Sequence, residues 1–282
     1  MIHRPDKLKK IEQGFARASI VSITGLRQSG KTTLAKEYAG TCGEQSVHFD
    51  LEDPRSLSRF AEPMTALENL HGLVVIDEVQ RFPSVFPILR VLADRPEKPA
   101  RFLILGSASP VLIKEISESL AGRVALLEMD GFNLVEVGSE KMRSLWLTGG
   151  LPPSFLSKGD QESFKWRQDF ITLFLERVLP QLGVTIAATA MRRFWMMLAH
   201  YHGQTWNASE LAKSFGVSEA LIRRKLDVLT GAFAVRQLPA WFENIGKRTI
   251  KSPKVYLRDT GLLHALLDLA SWEQLEGHPK IG

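Results

Sequence analysis

The sequence predicts a three-layer α/β fold for the first half of the chain, with helices on both faces of a mainly parallel sheet. Two observations support this prediction. Aliphatic stretches of strand length recur at residues 19–24, 47–51, 73–77, 102–106 and 124–129. Helical stretches lie between them, near residues 31–38, 57–60, 85–94 and 111–120. Continuous apolar strands that alternate with helices are typical of a parallel sheet that is buried on both sides.

The second half of the chain is predicted to be mostly helical and to end in a small β-structure. Helices are predicted at residues 161–178, 187–201, 208–213 and 218–230. The last two flank a tight corner at Gly216, and Ser218 is positioned to cap the second of them. Two strands, at 233–238 and 254–257, are joined by a basic loop. A helix-turn-helix followed by such a hairpin is the winged-helix arrangement.

These patterns divide the chain into three predicted regions. The α/β domain covers residues 1–138, a helical lid or linker region covers 139–202, and a winged helix-turn-helix domain with a C-terminal tail covers 203–282.

Composition and length are those of an ordinary globular protein with two compact units. The chain has 282 residues, of which 44% are hydrophobic and 24% are charged. No apolar run reaches the length of a membrane-spanning helix, and the basic N-terminus lacks the apolar stretch of a signal peptide. One cysteine, Cys42, cannot form an internal disulfide, and the seven histidines are too scattered to predict a metal site. We therefore predict a cytoplasmic protein without a membrane partner.

The net charge of +5 is unevenly distributed along the chain. Residues 1–150 contain 19 Lys+Arg and 19 Asp+Glu, whereas residues 151–282 contain 17 and 12. Between residues 213 and 258 there are ten basic side chains and three acidic ones. An excess of positive charge favours a polyanionic partner, so the second half is the candidate for nucleic-acid contact.

The most specific motif is a phosphate-binding loop between the first predicted strand and the following helix. Residues 25–32 match G-x-x-x-x-G-K-[ST] at every position. The glycines allow backbone N–H groups to point at phosphate oxygens, Lys31 reaches the β- and γ-phosphates of ATP, and the Thr32 hydroxyl is a hard ligand for Mg²⁺. The alternative is a chance glycine turn before a helix. The predicted nucleotide-binding residues are Gly25, Leu26, Arg27, Gln28, Ser29, Gly30, Lys31, Thr32 and Thr33.

Two carboxylates stand at the end of the aliphatic strand at 73–77. Asp77 is expected to hold the Mg²⁺ coordination sphere, and Glu78 to orient and deprotonate a water that attacks the γ-phosphate. The alternative is that Glu78 only caps the next turn. Adjacent carboxylates at the tip of an apolar strand repel each other without a cation, which favours hydrolysis.

Two further side chains are candidates for catalysis on weaker signals. Ser107 follows the strand at 102–106 and would place a hydroxyl beside the attacking water, although strand ends often carry serine only to turn the chain. Arg123 precedes the fifth strand and would stabilise transition-state charge if it lay near the γ-phosphate. Arginines before strands are mostly surface residues, so both alternatives stay open.

The ordered motifs resemble a large prokaryotic group of AAA+ ATPases. They are GLRQSGKTTL, LVVIDEVQ, FLILGSAS and SLAGR, followed by WLTGGLPP and SPKVYLRDTGLL. The resemblance covers nearly the whole chain and implies that the strand at 102–106 lies between the strands that precede Lys31 and end at Asp77. It also implies Ser107 as a γ-phosphate sensor and Arg123 as a finger or sensor arginine, in cis or from a neighbour. Relatives usually continue into a nuclease-like domain, so the chain is expected to be a fragment or to lack that module.

Basic side chains of the predicted winged helix are the candidates for contact with double-stranded DNA. They are Arg223, Arg224, Lys225, Lys247, Arg248 and Lys251. The second helix would enter a major groove while the loop touches phosphate. The alternative is that the domain docks a protein partner or is purely structural, with these side chains solvating the surface.

Three functions are compatible with this set of motifs. The leading prediction is a Mg²⁺-dependent ATPase that couples its nucleotide state to a DNA-contacting domain. The second is a binding module that holds ATP without rapid hydrolysis and docks a protein. The third is phosphate transfer to a small molecule, which the Asp77–Glu78 pair and the basic second half disfavour.

Overall fold

The computed structural model describes residues 2–43, 45–96, 100–107, 110–240 and 252–279. The chain divides into two compact units, Met1–Asp130 and Gly131–Gly282. The regions that the sequence predicts at 139–202 and 203–282 both lie in the second of these units.

The first unit contains a five-stranded parallel sheet in the order β2-β3-β4-β1-β5. Its strands are β1 (Ile20–Gly25), β2 (Ser46–Asp50), β3 (Gly72–Asp77), β4 (Ala100–Ser107) and β5 (Val124–Met129). The predicted α/β fold is confirmed, and each strand begins and ends within two residues of its predicted bounds. Strand β4 lies between β1 and β3, as the family resemblance implies.

Helices cover both faces of the sheet and complete the three layers. In the described part of this unit they are α1 (Pro5–Phe15), α2 (Lys31–Thr41), α3 (Pro54–Arg59), α4 (Pro63–Leu67), α5 (Val85–Ala93) and α6 (Pro110–Ser119). Successive strand residues point to opposite faces. Ile76 and Phe102 therefore join the core under α3 to α6, while Val75 and Leu103 join the core under α1 and α2. Helices α1 and α4 are not among the predicted elements.

The described part of the second unit is mainly helical. Its helices are α7 (Leu134–Val137), α8 (Met142–Thr148), α9 (Pro152–Phe155), α10 (Asp160–Leu173), α11 (Leu179–Gln181), α12 (Ala188–His200), α13 (Ala208–Phe215), α14 (Glu219–Gly231), α15 (Thr260–Leu266) and α16 (Trp272–Glu276). A π-helical turn, Phe174–Val178, joins α10 to α11. Strands β6 (Val235–Leu238) and β7 (Lys254–Leu257) form an antiparallel pair. Within the described ranges, no helix has both the length and the apolar character needed to cross a membrane.

Helices α13 and α14 are joined by a tight turn, as the sequence predicts. Gly216 ends α13 in the left-handed conformation, with φ of +64°, which glycine adopts without steric strain. Ser218 caps α14, since its Oγ accepts a hydrogen bond from Leu221 N–H at 3.3 Å. Apolar side chains on facing sides of the two helices, such as Leu211 and Ile222, are buried.

A buried carboxylate connects the two motifs of the second unit that carry the family resemblance. Asp259 precedes α15, and its Oδ1 accepts a hydrogen bond from Leu262 N–H at 2.9 Å, which caps that helix. Its Oδ2 accepts a hydrogen bond at 2.8 Å from the backbone N–H of Gly150, 109 residues away. Asp259 therefore positions the backbone of the GGLPP segment as well as its own helix.

A buried arginine completes the same junction. Arg167 of α10 is 0% exposed, and its Nη1 donates hydrogen bonds to Leu147 O at 3.1 Å and to Gly261 O at 3.0 Å. Burial lowers the pKa of Arg167 to about 10, against the opposing effect of nearby Asp259. The motifs WLTGGLPP and RDTGLL thus meet around a buried polar network, which gives them a structural role.

The backbone of Gly261 lies so close to Thr148 at this junction that one added methyl group should strongly lower the stability of the fold. A Cβ at Gly261 would lie 2.1 Å from Thr148 O, so Gly261→Ala must displace the backbone. We expect it to lower the free energy of unfolding by about 3 kcal/mol, measured by urea unfolding followed by circular dichroism. Gly159→Ala is the control, because a Cβ there would meet nothing within 4 Å. Equal stabilities of the two variants would contradict this account of the junction.

Candidate functional site

The phosphate-binding loop lies between β1 and α2, where the motif places it. Gly30 adopts φ of +92° and Gln28 adopts φ of +63°, and both values lie in the left-handed region that favours glycine. A non-glycine residue held there is a form of local strain that is common at functional sites. A Cβ at Gly25 would lie 2.1 Å from Met129 O, so this glycine also allows β1 and β5 to approach each other.

Lys31 is buried at the first turn of α2 and bends back over the loop. Its Nζ donates hydrogen bonds to Leu26 O at 3.0 Å and to Gly25 O at 3.3 Å. Burial lowers the pKa of Lys31 to about 8, while nearby Glu78 and Asp77 act in the opposite direction. The ammonium group is therefore mainly protonated at pH 7 and is surrounded by the loop.

Thr32 and Asp77 meet at the carboxyl edge of the sheet. Thr32 Oγ1 donates a 2.6 Å hydrogen bond to Asp77 Oδ2, and Asp77 is 4% exposed. Asp77 Oδ1 accepts a hydrogen bond from Glu78 N–H at 2.9 Å. His48 of β2 was not predicted as a site residue, yet its Nε2 lies 4.0 Å from Asp77 Oδ2. The structure thus brings together the two residues that the sequence predicts to hold Mg²⁺.

Glu78 lies directly beyond β3 in an unusual backbone conformation. Its φ of +54° is in the left-handed region, and only tertiary contacts can hold a glutamate there. Burial raises the pKa of Glu78, while the Gln80 hydrogen bond and Lys31 act in the opposite direction. Gln80 Nε2 donates to Glu78 Oε2. Gln80 is not among the predicted site residues, although its position two residues after the carboxylate pair could have indicated it.

Ser107 ends β4 at the same edge and pairs in register with Gly25. It is 5% exposed. Its Oγ has no hydrogen-bond partner among the described residues, and the same is true of Ser29 Oγ in the phosphate loop and of Gln80 Oε1. Buried polar atoms without partners are rare in proteins, so these three atoms are available to contact a polar ligand.

Two arginines at the rim of the loop share one carboxylate. Arg27 Nη2 and Arg81 Nη1 each lie 3.1 Å from Glu52 Oε1. Arg27 is a predicted site residue, whereas Glu52 and Arg81 are not. Glu52 lies just after β2, and Arg81 lies shortly after Glu78. These positions could have indicated both residues, because residues beyond the carboxyl ends of parallel strands meet at one edge of the sheet.

Arg123 lies far from this edge. It precedes β5, which runs parallel to β1, so Arg123 stands at the edge opposite the phosphate loop. Its Nε and Nη2 donate to the two carboxylate oxygens of Asp94 at 2.6 Å and 2.9 Å. Of the two alternatives for Arg123, this position disfavours action in cis, and action on a neighbouring subunit stays a prediction.

The predicted DNA contacts of the second unit differ in their surroundings. Arg224 is exposed, and Arg223 lies 3.6 Å from Glu219, one turn earlier on α14. Lys225 is only 4% exposed, and its Nζ lies 5.7 Å and 5.4 Å from the ring centres of Phe194 and Phe215. The prediction that Lys225 contacts DNA is wrong, because its charge is enclosed by the two rings. Lys247, Arg248 and Lys251 lie outside the described residues.

These features define the fold of the first unit, which is that of a P-loop NTPase. Residues 17–138 match the family described as AAA domain. Residues 139–273 match a domain of unknown function, DUF8612.

Similar proteins are found in mycobacteria. The uncharacterized proteins Rv2008c of Mycobacterium tuberculosis and Mb2031c of Mycobacterium bovis are each 53% identical to the chain over 282 residues. The match covers 100% of this chain and 64% of each relative. The solved Walker-type ATPase PABY2304 of Pyrococcus abyssi is 14% identical, with a TM-score of 0.66 over 95% of this chain and 96% of that one. At that identity the likeness shows the fold alone.

Proposed function

We propose that the first unit binds ATP with Mg²⁺ and hydrolyses it. The observation that carries this proposal is the 2.6 Å contact between Thr32 and Asp77, with buried Lys31 and the carboxylate of Glu78 nearby. A hydroxyl, two adjacent carboxylates and an ammonium group at the end of a phosphate loop match the parts that phosphoryl-transfer sites require.

The donor atoms fit a magnesium ion. Mg²⁺ prefers hard oxygen ligands and is usually held by one or two protein oxygens together with substrate phosphates. Thr32 Oγ1 and Asp77 Oδ2 are such oxygens. Among the described residues, no cluster of three or more His, Cys, Asp or Glu side chains could hold a metal ion by itself. When bound, the ion would neutralise part of the phosphate charge.

Each side chain at this edge has a distinct role in the proposed reaction. Lys31 would pair with the β- and γ-phosphates through its ammonium group. Glu78 would accept the proton of the attacking water while the bond between the β–γ bridging oxygen and the γ-phosphorus breaks. Gln80 would hold the Glu78 carboxylate in place. Ser107 would donate its free hydroxyl to the water or to a γ-phosphate oxygen.

We propose that the second unit contacts double-stranded DNA through a winged helix formed by α13, α14 and the β6–β7 pair. The tight turn at Gly216, exposed Arg224 and the charge excess of the second half support this proposal. The chain spans 64% of the length of the mycobacterial relatives, so the activity of the whole protein is itself proposed.

Phosphate release measured with and without Mg²⁺ and duplex DNA tests the proposed functions of both units together.

Two adjacent substitutions test the DNA contact. Arg224→Glu should weaken binding to every duplex. It should also make the negative slope of log K against log [salt] less steep by about 0.9, since one phosphate contact is lost. Lys225→Met should leave both quantities unchanged, because Lys225 is buried against aromatic rings. Fluorescence anisotropy on a labelled duplex at several salt concentrations measures both. Absence of binding at low salt, by a protein that still binds ATP, would favour the alternative in which the second unit docks a protein.

A further inference from the structure

A cavity of about 240 Å³ lies within the second unit, next to the junction formed by Arg167 and Asp259. Helices α8, α12, α15 and α16 contribute to its wall. Four imidazole rings and several apolar side chains line it, among them His200, His202, His264, His278, Trp146 and Leu263. This volume exceeds the roughly 150 Å³ of an apolar cavity that accommodates benzene.

The tautomer of His264 is determined by a backbone carbonyl. His264 is 3% exposed, and its Nδ1 lies 3.1 Å from Leu147 O. Because a carbonyl oxygen only accepts hydrogen bonds, Nδ1 must carry the proton. In the neutral ring, Nε2 is then an acceptor, and no described residue donates a hydrogen bond to it.

The tautomer of His202 is the opposite one. Its Nδ1 accepts a hydrogen bond from Leu257 N–H at 3.1 Å, so in the neutral ring the proton is on Nε2. The ring is held edge-on against Tyr256, with centroids 5.3 Å apart. His202 therefore offers a hydrogen-bond donor where His264 offers an acceptor.

Burial favours the neutral form of both rings. Burial lowers the pKa of His202 and lowers that of His264 to about 4, and nearby Arg167, His202 and His278 add to the fall for His264. The cavity thus combines one acceptor, one donor and an apolar wall without a charge on either of these rings.

We propose that this cavity binds a small neutral ring compound that carries an N–H donor next to a carbonyl acceptor, as in a cyclic amide. The ligand N–H would donate to His264 Nε2, and its carbonyl would accept from His202 Nε2–H. The flat indole of Trp146 and the side chain of Leu263 would cover the faces of the ring. This site is independent of the phosphate loop and of the proposed hydrolysis.

Binding of two matched ligands tests the proposal on the unmodified chain. 2-Pyridone has both groups, whereas N-methyl-2-pyridone lacks the donor. Ligand-observed NMR titration should give an affinity for 2-pyridone at least about fivefold higher, which corresponds to one lost hydrogen bond. Equal affinities, or no binding of 2-pyridone at millimolar concentration, would overturn the proposal.

Two asparagine variants test the same contacts from the protein side. Asparagine in place of histidine can keep the hydrogen bond of Nδ1 while it removes Nε2, so His264→Asn retains the donor to Leu147 O and His202→Asn retains the acceptor for Leu257 N–H. Each variant should bind 2-pyridone about fivefold more weakly and keep its ATP affinity. Unchanged 2-pyridone affinity in both variants would refute the assignment. The comparison of the two ligands on the parent protein decides the matter if a variant fails to fold.

Discussion

The Lys31→Ala variant is expected to lose ATP affinity by at least about 30-fold while the fold is retained. Lys31 supplies the charge at the centre of the phosphate loop, and hydrogen bonds from a charged donor contribute about 1.5–3 kcal/mol each. The alanine variant also leaves Gly25 O and Leu26 O without this donor. Isothermal titration with a slowly hydrolysed ATP analogue measures the affinity, and circular dichroism checks the fold.

Lys36→Ala is the matched control for this experiment. Lys36 lies on the same helix but is exposed, so its removal should leave the ATP affinity within about twofold of that of the parent protein.

The pKa of Lys31 is lowered to about 8, so its charge is lost as pH rises through that value. ATP binding by the parent protein should therefore weaken above pH 8. Tight binding by Lys31→Ala would refute the assignment of the site.

The Glu78→Gln variant is expected to bind ATP normally and to hydrolyse it about 100-fold more slowly. Glutamine keeps the size and the hydrogen-bonding capacity of the side chain but cannot accept a proton from water, and general-base catalysis contributes factors of this size or more. Single-turnover phosphate release measures the rate. Glu62→Gln is the control, because Glu62 is exposed and its side chain caps no helix.

The pH dependence of hydrolysis provides a second measurement of the same role. Burial raises the pKa of Glu78 above its ordinary value of 4.5. Only the carboxylate form can act as a base, so the rate should fall as pH decreases through this raised pKa and recover above it. The acid limb should disappear in Glu78→Gln. An unchanged rate in Glu78→Gln would assign proton transfer to another group, with Ser107→Ala as the next variant. A parent protein that binds ATP but does not hydrolyse it would favour the alternative of a binding module that holds ATP without rapid hydrolysis.

The parts of the fold and site that the sequence predicts are those encoded in short contiguous segments. The five strands are recognisable because each is a run of apolar residues bounded by turns, and the loop at 25–32 is recognisable because all its residues are consecutive. Asp77 and Glu78 follow from their position at the end of one such strand. The side chains that support them, His48 and Gln80, come from an edge strand and a short turn without a strong local pattern.

Tertiary structure alone decided the environment of single side chains. In the sequence, Lys225 is a basic residue like its neighbours Arg223 and Arg224. A surface helix buries one face and exposes the other, and Lys225 lies on the buried face, against Phe194 and Phe215. Arg123 ends the SLAGR motif, whose resemblance to AAA+ ATPases suggests a place at the nucleotide, but strand direction puts it at the opposite edge, where it pairs with Asp94.

The sequence by itself determined the class of the first unit, the phosphate loop and the carboxylates beside it, because periodicity and turn chemistry are local properties of the chain. Only the tertiary structure decided which groups distant in sequence form hydrogen bonds with each other, and therefore which nitrogen of a histidine carries the proton. Asp259 meets Gly150 across 109 residues, and the tautomers of His202 and His264 depend on Leu257 N–H and Leu147 O. Such pairings depend on how buried backbone groups are satisfied when helices and strands pack, and no short segment of sequence specifies that packing.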